Sequence, residues 1–217
     1  MTRWSAVYSK SAGPLDINKE KKDGIFMRDG TQATLPVMWR WNDLPGHETC
    51  CILADTDGWR LTGVAVLVFE GQACRLDYWI DCGKEWVTRS AAVTGWVGDR
   101  EIDVSVVRGS GGEWGLNGNT CEDVAGCIDI DLNFSPSTNL LPIRRLDLKV
   151  GASASVRAAW LRFPSFALEP LDQTYTRIDD RIYRYESAGG RFVAELTVDD
   201  EGLVIDYGKI WYREVIA

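Results

Sequence analysis

Apolar and polar residues alternate with a period of two through most of the chain, and this constrains the fold more than any other feature. Cys74, Leu76, Tyr78, Ile80 and Cys82 alternate with Arg75, Asp77, Trp79 and Asp81. Ile102, Val104 and Val106 alternate with Glu101, Asp103 and Ser105, and Phe192, Ala194, Leu196 and Val198 with Val193, Glu195, Thr197 and Asp199. Successive strand side chains point to opposite faces, so this pattern marks half-buried strands of an antiparallel sheet. Turn dipeptides punctuate it at Asp57-Gly58, Glu70-Gly71, Gly98-Asp99, Asn117-Gly118, Gly189-Gly190 and Glu201-Gly202. Roughly a dozen strands result, with no amphipathic helix of three turns. So many strands joined by tight turns cannot stay flat. The expectation is an all-β fold, a long antiparallel meander sheet rolled into a spiral or barrel-like body, with two packed sheets as the alternative.

Residues 1–37 lack this periodicity and are rich in Gly, Lys and Asp. They read as an N-terminal extension that lends one hairpin around Ile25-Phe26-Met27 to the sheet, ahead of a single all-β domain at 38–217. With 45% apolar and 26% charged residues the composition is that of a globular protein. A net charge of −8 and a pI near 4.8 argue against nucleic acid and anionic membrane surfaces. The one basic cluster, Lys19, Lys21 and Lys22, reads as a solvated loop. Neither a membrane-spanning apolar run nor a secretory leader is visible, which points to the cytoplasm. Six cysteines without a C-x-x-C pair, and one histidine, make a zinc site an unfavoured reading. They read as free thiols, with a Cys121–Cys127 bridge open only in an oxidising compartment. No cofactor is indicated.

The segment "GCIDIDLNFSPSTNLLPIRRLDL" (126–148) carries the most chemistry. Read as a strand, it projects Asp129 and Asp131 together, about 6.5–7 Å apart. A second strand over 143–150 would send Arg144 to the apolar face and Arg145 to the acidic one. Two hairpin registers are open: Asp131 opposite Arg145 with Asp129 opposite Asp147, or Asp129 opposite Lys149 with Asp131 opposite Asp147. Either leaves two carboxylates opposed, which destabilises a sheet and raises a carboxyl pKa. Three readings stay open: a solvated acidic face, the polar rim of a ligand cavity, or catalysis by paired carboxylates. His47, beside Glu48 in "PGHE", reads as a turn residue rather than a general base. Tyr183 and Tyr185 share a strand face and suit either a cross-strand aromatic pair or a ligand headgroup. Of ten tryptophans, Trp79 falls on the polar phase, so it is either covered or exposed to a ligand, and Trp160 sits beside small residues.

"PGHE" (45–48), "LDYWIDCGKEWVTRSAAVTG" (76–95), the 126–148 block, "AAWLRFP" (158–164), "QTYTRI…YRYES" (173–187) and "LTVDDEGLVIDYGKIW" (196–211) together resemble the bacterial Putative glycolipid-binding family. The resemblance runs over about residues 38–217. It departs where that family ends in a "DYP" turn, since Gly208 follows Asp206-Tyr207 here. What it implies is non-catalytic binding of a small, amphiphilic, sugar-bearing molecule. Asp129, Asp131, Asn139, Arg144, Arg145, Tyr175, Tyr183 and Tyr185 are the candidate ligand-binding residues, with an apolar groove between rolled sheet edges for the acyl portion. Left open are a hydrolase working through the carboxylates, a protein-interaction module, and a homodimer through a sheet edge.

Overall fold

The structure, a computed structural model, describes residues 32–33, 36–54 and 56–214. The hairpin expected near Ile25 and the lysine cluster lie outside the described residues. Among the described residues sixteen strands form one sheet. A first meander runs through β1 (Gln32–Ala33), β2 (Val37–Trp41), β3 (Gly46–Ala54), β4 (Gly58–Phe69), β5 (Gln72–Gly83), β6 (Thr88–Val97), β7 (Arg100–Arg108), β8 (Trp114–Leu116) and β9 (Asn119–Thr120). After β10 (Asp129–Leu132) and a crossover containing helix α1 (Leu140–Leu146), a second meander follows. It comprises β11 (Ser153–Arg162), β12 (Ala167–Asp179), β13 (Ile182–Ser187), β14 (Phe192–Val198), β15 (Val204–Tyr207) and β16 (Trp211–Arg213). The spatial order is β10 through β16, then β2 through β9, with β1 on β3. The two meanders therefore meet where β16 pairs with β2, and β9 and β10, consecutive in sequence, lie at opposite ends of the sheet.

The expected turns fall where the sequence places them. Glu70-Gly71 (φ 49° and 77°) and Asn117-Gly118 (φ 50° and 80°) both adopt the left-handed pairs that two-residue hairpins need. Trp79 is covered on the outer face by the Arg60 guanidinium, 5.1 Å from the ring centre. The cysteines, Cys121 and Cys127 included, are free thiols. Among the described residues no helix is long and apolar enough to cross a membrane.

One expectation fails. Residues 140–146 are helical, so no hairpin joins 127–134 to 143–150. β10 pairs in parallel with β11 instead, Asp129 opposite Ala158 through Leu132 opposite Leu161. A parallel pair cannot be joined by a tight turn and needs a crossover, which residues 133–152 supply. Ser135 starts it by accepting a hydrogen bond from Ser137 N, with Pro136 opening a 3₁₀ turn. Pro142 lies in the first turn of α1, where its missing N–H leaves nothing unpaired. Arg144 and Arg145 occupy the last turn, where cations complement the helix dipole. Asp147, at φ 40° and ψ 50°, ends it.

This crossover is the centre of the molecule. Every residue from Phe134 to Ile143 is buried. Phe134, Leu140 and Leu141 share one apolar cluster with Leu61, Leu76, Ile80, Val93 and Val106 of the first meander and Leu161 of the second. Each such side chain stabilises by about 1.5–3 kcal/mol on burial. Strands from both meanders thus pack on the same three side chains, Phe134, Leu140 and Leu141, because the sheet curls around them. Ile130 N reaches Thr88 Oγ1 on β6 at 3.0 Å, so the β10 end returns over the first meander without joining its ladder.

Candidate functional site

A cleft of about 620 Å³ opens where the two meanders meet. Trp41 ends β2 and Trp211 begins β16. They are direct cross-strand partners with ring centres 4.6 Å apart, tilted by 32°. Tyr185, Phe192 and Tyr207 form a second wall, each pair edge-on at 5.8–6.2 Å. Trp160, with the Arg162 guanidinium 5.5 Å over its ring, forms a third. Arg191 stands at the rim; its Nε donates to Ala188 O, and among the described residues no carboxylate pairs with it.

The floor is polar. Asp131, Asn133, Ser135, Asn139 and Ser187 all reach the cleft. Gln173 Nε2 donates to Asp131 Oδ2 at 2.6 Å, and the Tyr185 ring stands beside Tyr175 with centres 5.1 Å apart. Burial pushes the Asp131 carboxyl up to about 6, the Gln173 hydrogen bond opposing it. Burial, aided by neighbouring charges, keeps the phenols of Tyr175, Tyr185 and Tyr207 protonated. Asn139 is held at both ends, Oδ1 accepting from the Tyr175 hydroxyl at 2.9 Å and Nδ2 donating to Pro136 O at 3.2 Å.

The eight residues singled out from sequence do not form one cluster. Asp131, Asn139 and Tyr185 line the cleft, and Tyr175 stands behind Asn139. Asp129 and Arg145 lie beneath them as a buried pair, Arg145 Nε to Oδ1 at 3.0 Å and Nη2 to Oδ2 at 2.5 Å. Burial raises the Asp129 pKa and Arg145 opposes the shift. The buried arginine is thus Arg145, not Arg144 as the strand reading expected, because the helix turns Arg145 toward β10. The two carboxylates have separate partners, Asp129 with Arg145 and Asp131 with Gln173. Neither faces Asp147, which is exposed.

Arg144 and Tyr183 sit in a different depression, of about 750 Å³. Arg144 stacks 5.3 Å over Trp86, and Arg177 lies 5.7 Å over Tyr183. His47 is exposed on β3, its Nε2 3.9 Å from Glu214 Oε1.

Beneath the cleft lies a group the sequence reading passed over. Glu48 is 1% exposed, and its Oε1 accepts from the Tyr78 hydroxyl at 2.5 Å and from Ser135 Oγ at 2.6 Å. Ser137 Oγ closes the network, 2.9 Å from the Tyr78 oxygen and 2.6 Å from Ser135 Oγ. Glu48 Oε2 has no hydrogen-bond partner among the described residues. Burial pushes this carboxyl up to about 8, against the pull of Ser135 and Tyr78, so it is protonated at neutral pH. Gly63 makes the network possible. A Cβ there would lie 2.6 Å from Tyr78 Cζ and 2.4 Å from Thr49 O, so only glycine lets the ring cross β4 to reach β3. The available signal was phase, since Glu48 alternates inward with Cys50 and Ile52. The cleft tryptophans gave none, because Trp41, Trp160 and Trp211 come together only through the strand order.

Fold and cleft together define an all-β protein whose one sheet curls around its own crossover and opens an aromatic-walled, polar-floored cleft where its meanders meet. Residues 36–213 match the model of the family described as "Putative glycolipid-binding", and the chain belongs to that family. A crystal structure of a DUF1089 family protein from Pseudomonas aeruginosa has the same fold. Its TM-score is 0.69 at 27% identity, covering 88% of this chain and 100% of that one. No curated protein matches the chain.

Proposed function

We propose that this protein binds an amphiphilic, sugar-bearing molecule non-covalently in the cleft between Trp41, Trp211, Trp160 and Tyr185. The observation that carries this is the pairing of aromatic walls with a polar, pre-positioned floor. Aromatic planes take the C–H faces of a sugar ring, while Asp131, Asn133 and Ser187 exchange hydrogen bonds with its hydroxyls. The family description supports the ligand class. A reducing, cytoplasmic setting suits the free thiols.

Native mass spectrometry of freshly purified protein tests the proposal, with a sugar-bearing lipid expected to be retained. Asp131→Asn is expected to weaken that binding by roughly tenfold to a hundredfold, the effect of losing a charged hydrogen-bond acceptor. A protein that retains no such molecule, and whose melting temperature no glycolipid in a panel raises, refutes it.

A further inference from the structure

We infer that the cleft takes the sugar headgroup alone and that the acyl chain of the ligand stays outside the sheet. This rests on the cleft reading above and settles which end of the amphiphile is recognised.

A curled sheet that swallows a lipid tail needs an apolar lumen. Here the lumen belongs to the chain itself. Phe134, Leu140 and Leu141 are each 0% exposed and pack against both meanders, and the Glu48–Ser135–Tyr78 network ties this plug to the sheet wall. An entering tail would have to displace the plug, exposing the Asp129–Arg145 pair that fixes its far end.

The cleft floor is no better suited to a tail. Asp131, Asn133, Asn139 and Ser187 place polar atoms along it. A methylene chain laid there would cover Asp131 Oδ1 and Asn133 Nδ2 without hydrogen-bonding them, at about 1–3 kcal/mol per group, while the Asn139 amide is already bonded at both ends. A sugar reverses this balance. Its hydroxyls meet Asp131 Oδ1 and Asn133 Nδ2, which bond no described residue, while Asp131 Oδ2 and Asn133 Oδ1 are already held by Gln173 and Phe163 N. Each of these side chains is thus oriented from behind and offers its other end to the cleft, the arrangement that makes recognition of a rigid ring inexpensive in entropy.

Chain length provides the test. Dissociation constants would be measured by calorimetry for methyl, octyl and decyl glucosides and galactosides below their micelle concentrations, with decanoate as a tail without a sugar. The expected result is binding by at least one sugar series, a change of less than about twofold from octyl to decyl, and none by decanoate. Asp131→Asn should weaken the whole series equally. A buried tail would instead gain about fourfold per methylene, or about fifteenfold from octyl to decyl. That result, or tight binding of decanoate, overturns the inference and leaves the cleft as a binding site. Failure of every glycoside, the methyl ones included, overturns the cleft reading itself.

Discussion

Glu48 makes the stability of this protein depend on pH in a way that one substitution should remove. In the folded chain its carboxyl is pushed up to about 8, from an ordinary value of 4.5. Between these values the unfolded chain has lost the proton and the folded chain retains it. The folded state therefore binds more protons, and stability falls as pH rises through this window, levelling off above about 8. A gap of about 3.5 units corresponds to about 5 kcal/mol, lost at up to about 1.4 kcal/mol per pH unit. Glu48→Gln keeps an acceptor for the Tyr78 and Ser135 hydroxyls and cannot ionise. It places an amide N–H₂ where the neutral acid has a single unpartnered O–H, so one further unpaired N–H adds a pH-independent cost of about 1–3 kcal/mol. The wild type is thus expected to be the more stable protein at pH 5, and the variant at pH 8–9 by about 2–4 kcal/mol. The two curves should cross near pH 6. Urea unfolding at five pH values checks this, because other titrating groups are common to both proteins and cancel in the difference. Parallel stability curves for the two proteins would show that Glu48 ionises normally and that the reasoning from burial is wrong.

Three further outcomes are expected. Arg145→Ala leaves the buried Asp129 carboxylate unpaired and should destabilise by about 3–5 kcal/mol in denaturant unfolding, while Arg144→Ala, half-exposed over Trp86, should cost far less. Gly63→Ala should cost about 1–3 kcal/mol or more from overpacking and shift the fluorescence or absorbance of Tyr78 as its ring leaves Glu48; unchanged stability would contradict the 2.4 Å approach to Thr49 O. Ligand affinity should fall as pH drops through about 6, and level off at the roughly tenfold to hundredfold loss expected of Asp131→Asn, as Asp131 gains a proton and accepts only as a neutral acid; a flat profile in calorimetric titrations would remove Asp131 from recognition.

The strands and turns were legible because their signals are local. Phase along β5, β7 and β14, and the Glu70-Gly71 and Asn117-Gly118 turns, depend only on residues next to one another. The 126–148 block misled for a physical reason. β10 packs on both faces, so Asp129 is buried and Asp131 half-buried at the cleft although both alternate with apolar residues. The following apolar run is too short to distinguish a strand from one and a half helical turns by period. Pro136, Pro142 and the paired arginines were the available helix signals, and alternation outweighed them. Asp131, Asn139 and Tyr185, which line the cleft, stood out because they are polar groups within an apolar pattern. Trp41, Phe192, Tyr207 and Trp211 did not, because an aromatic residue on a cleft wall reads like one in the core.

The β16–β2 pairing has a mechanical consequence. Among the described residues three cross-strand pairs hold it, Trp211 with Trp41, Tyr212 with Arg40 and Arg213 with Trp39, flanked by hydrogen bonds from Asn42 N to Ile210 O and from Glu214 N to Met38 O, whereas β4 and β5 share twelve pairs. It is the zip fastener between two halves whose other ladders, β1 with β3 apart, join strands that follow one another in sequence. Trp41 and Trp211 are also the pair whose indoles wall the cleft. A sugar resting on both would bridge the zip, so occupancy should be felt first as slower hydrogen exchange along β2 and β16, before any change in the global melting of the sheet.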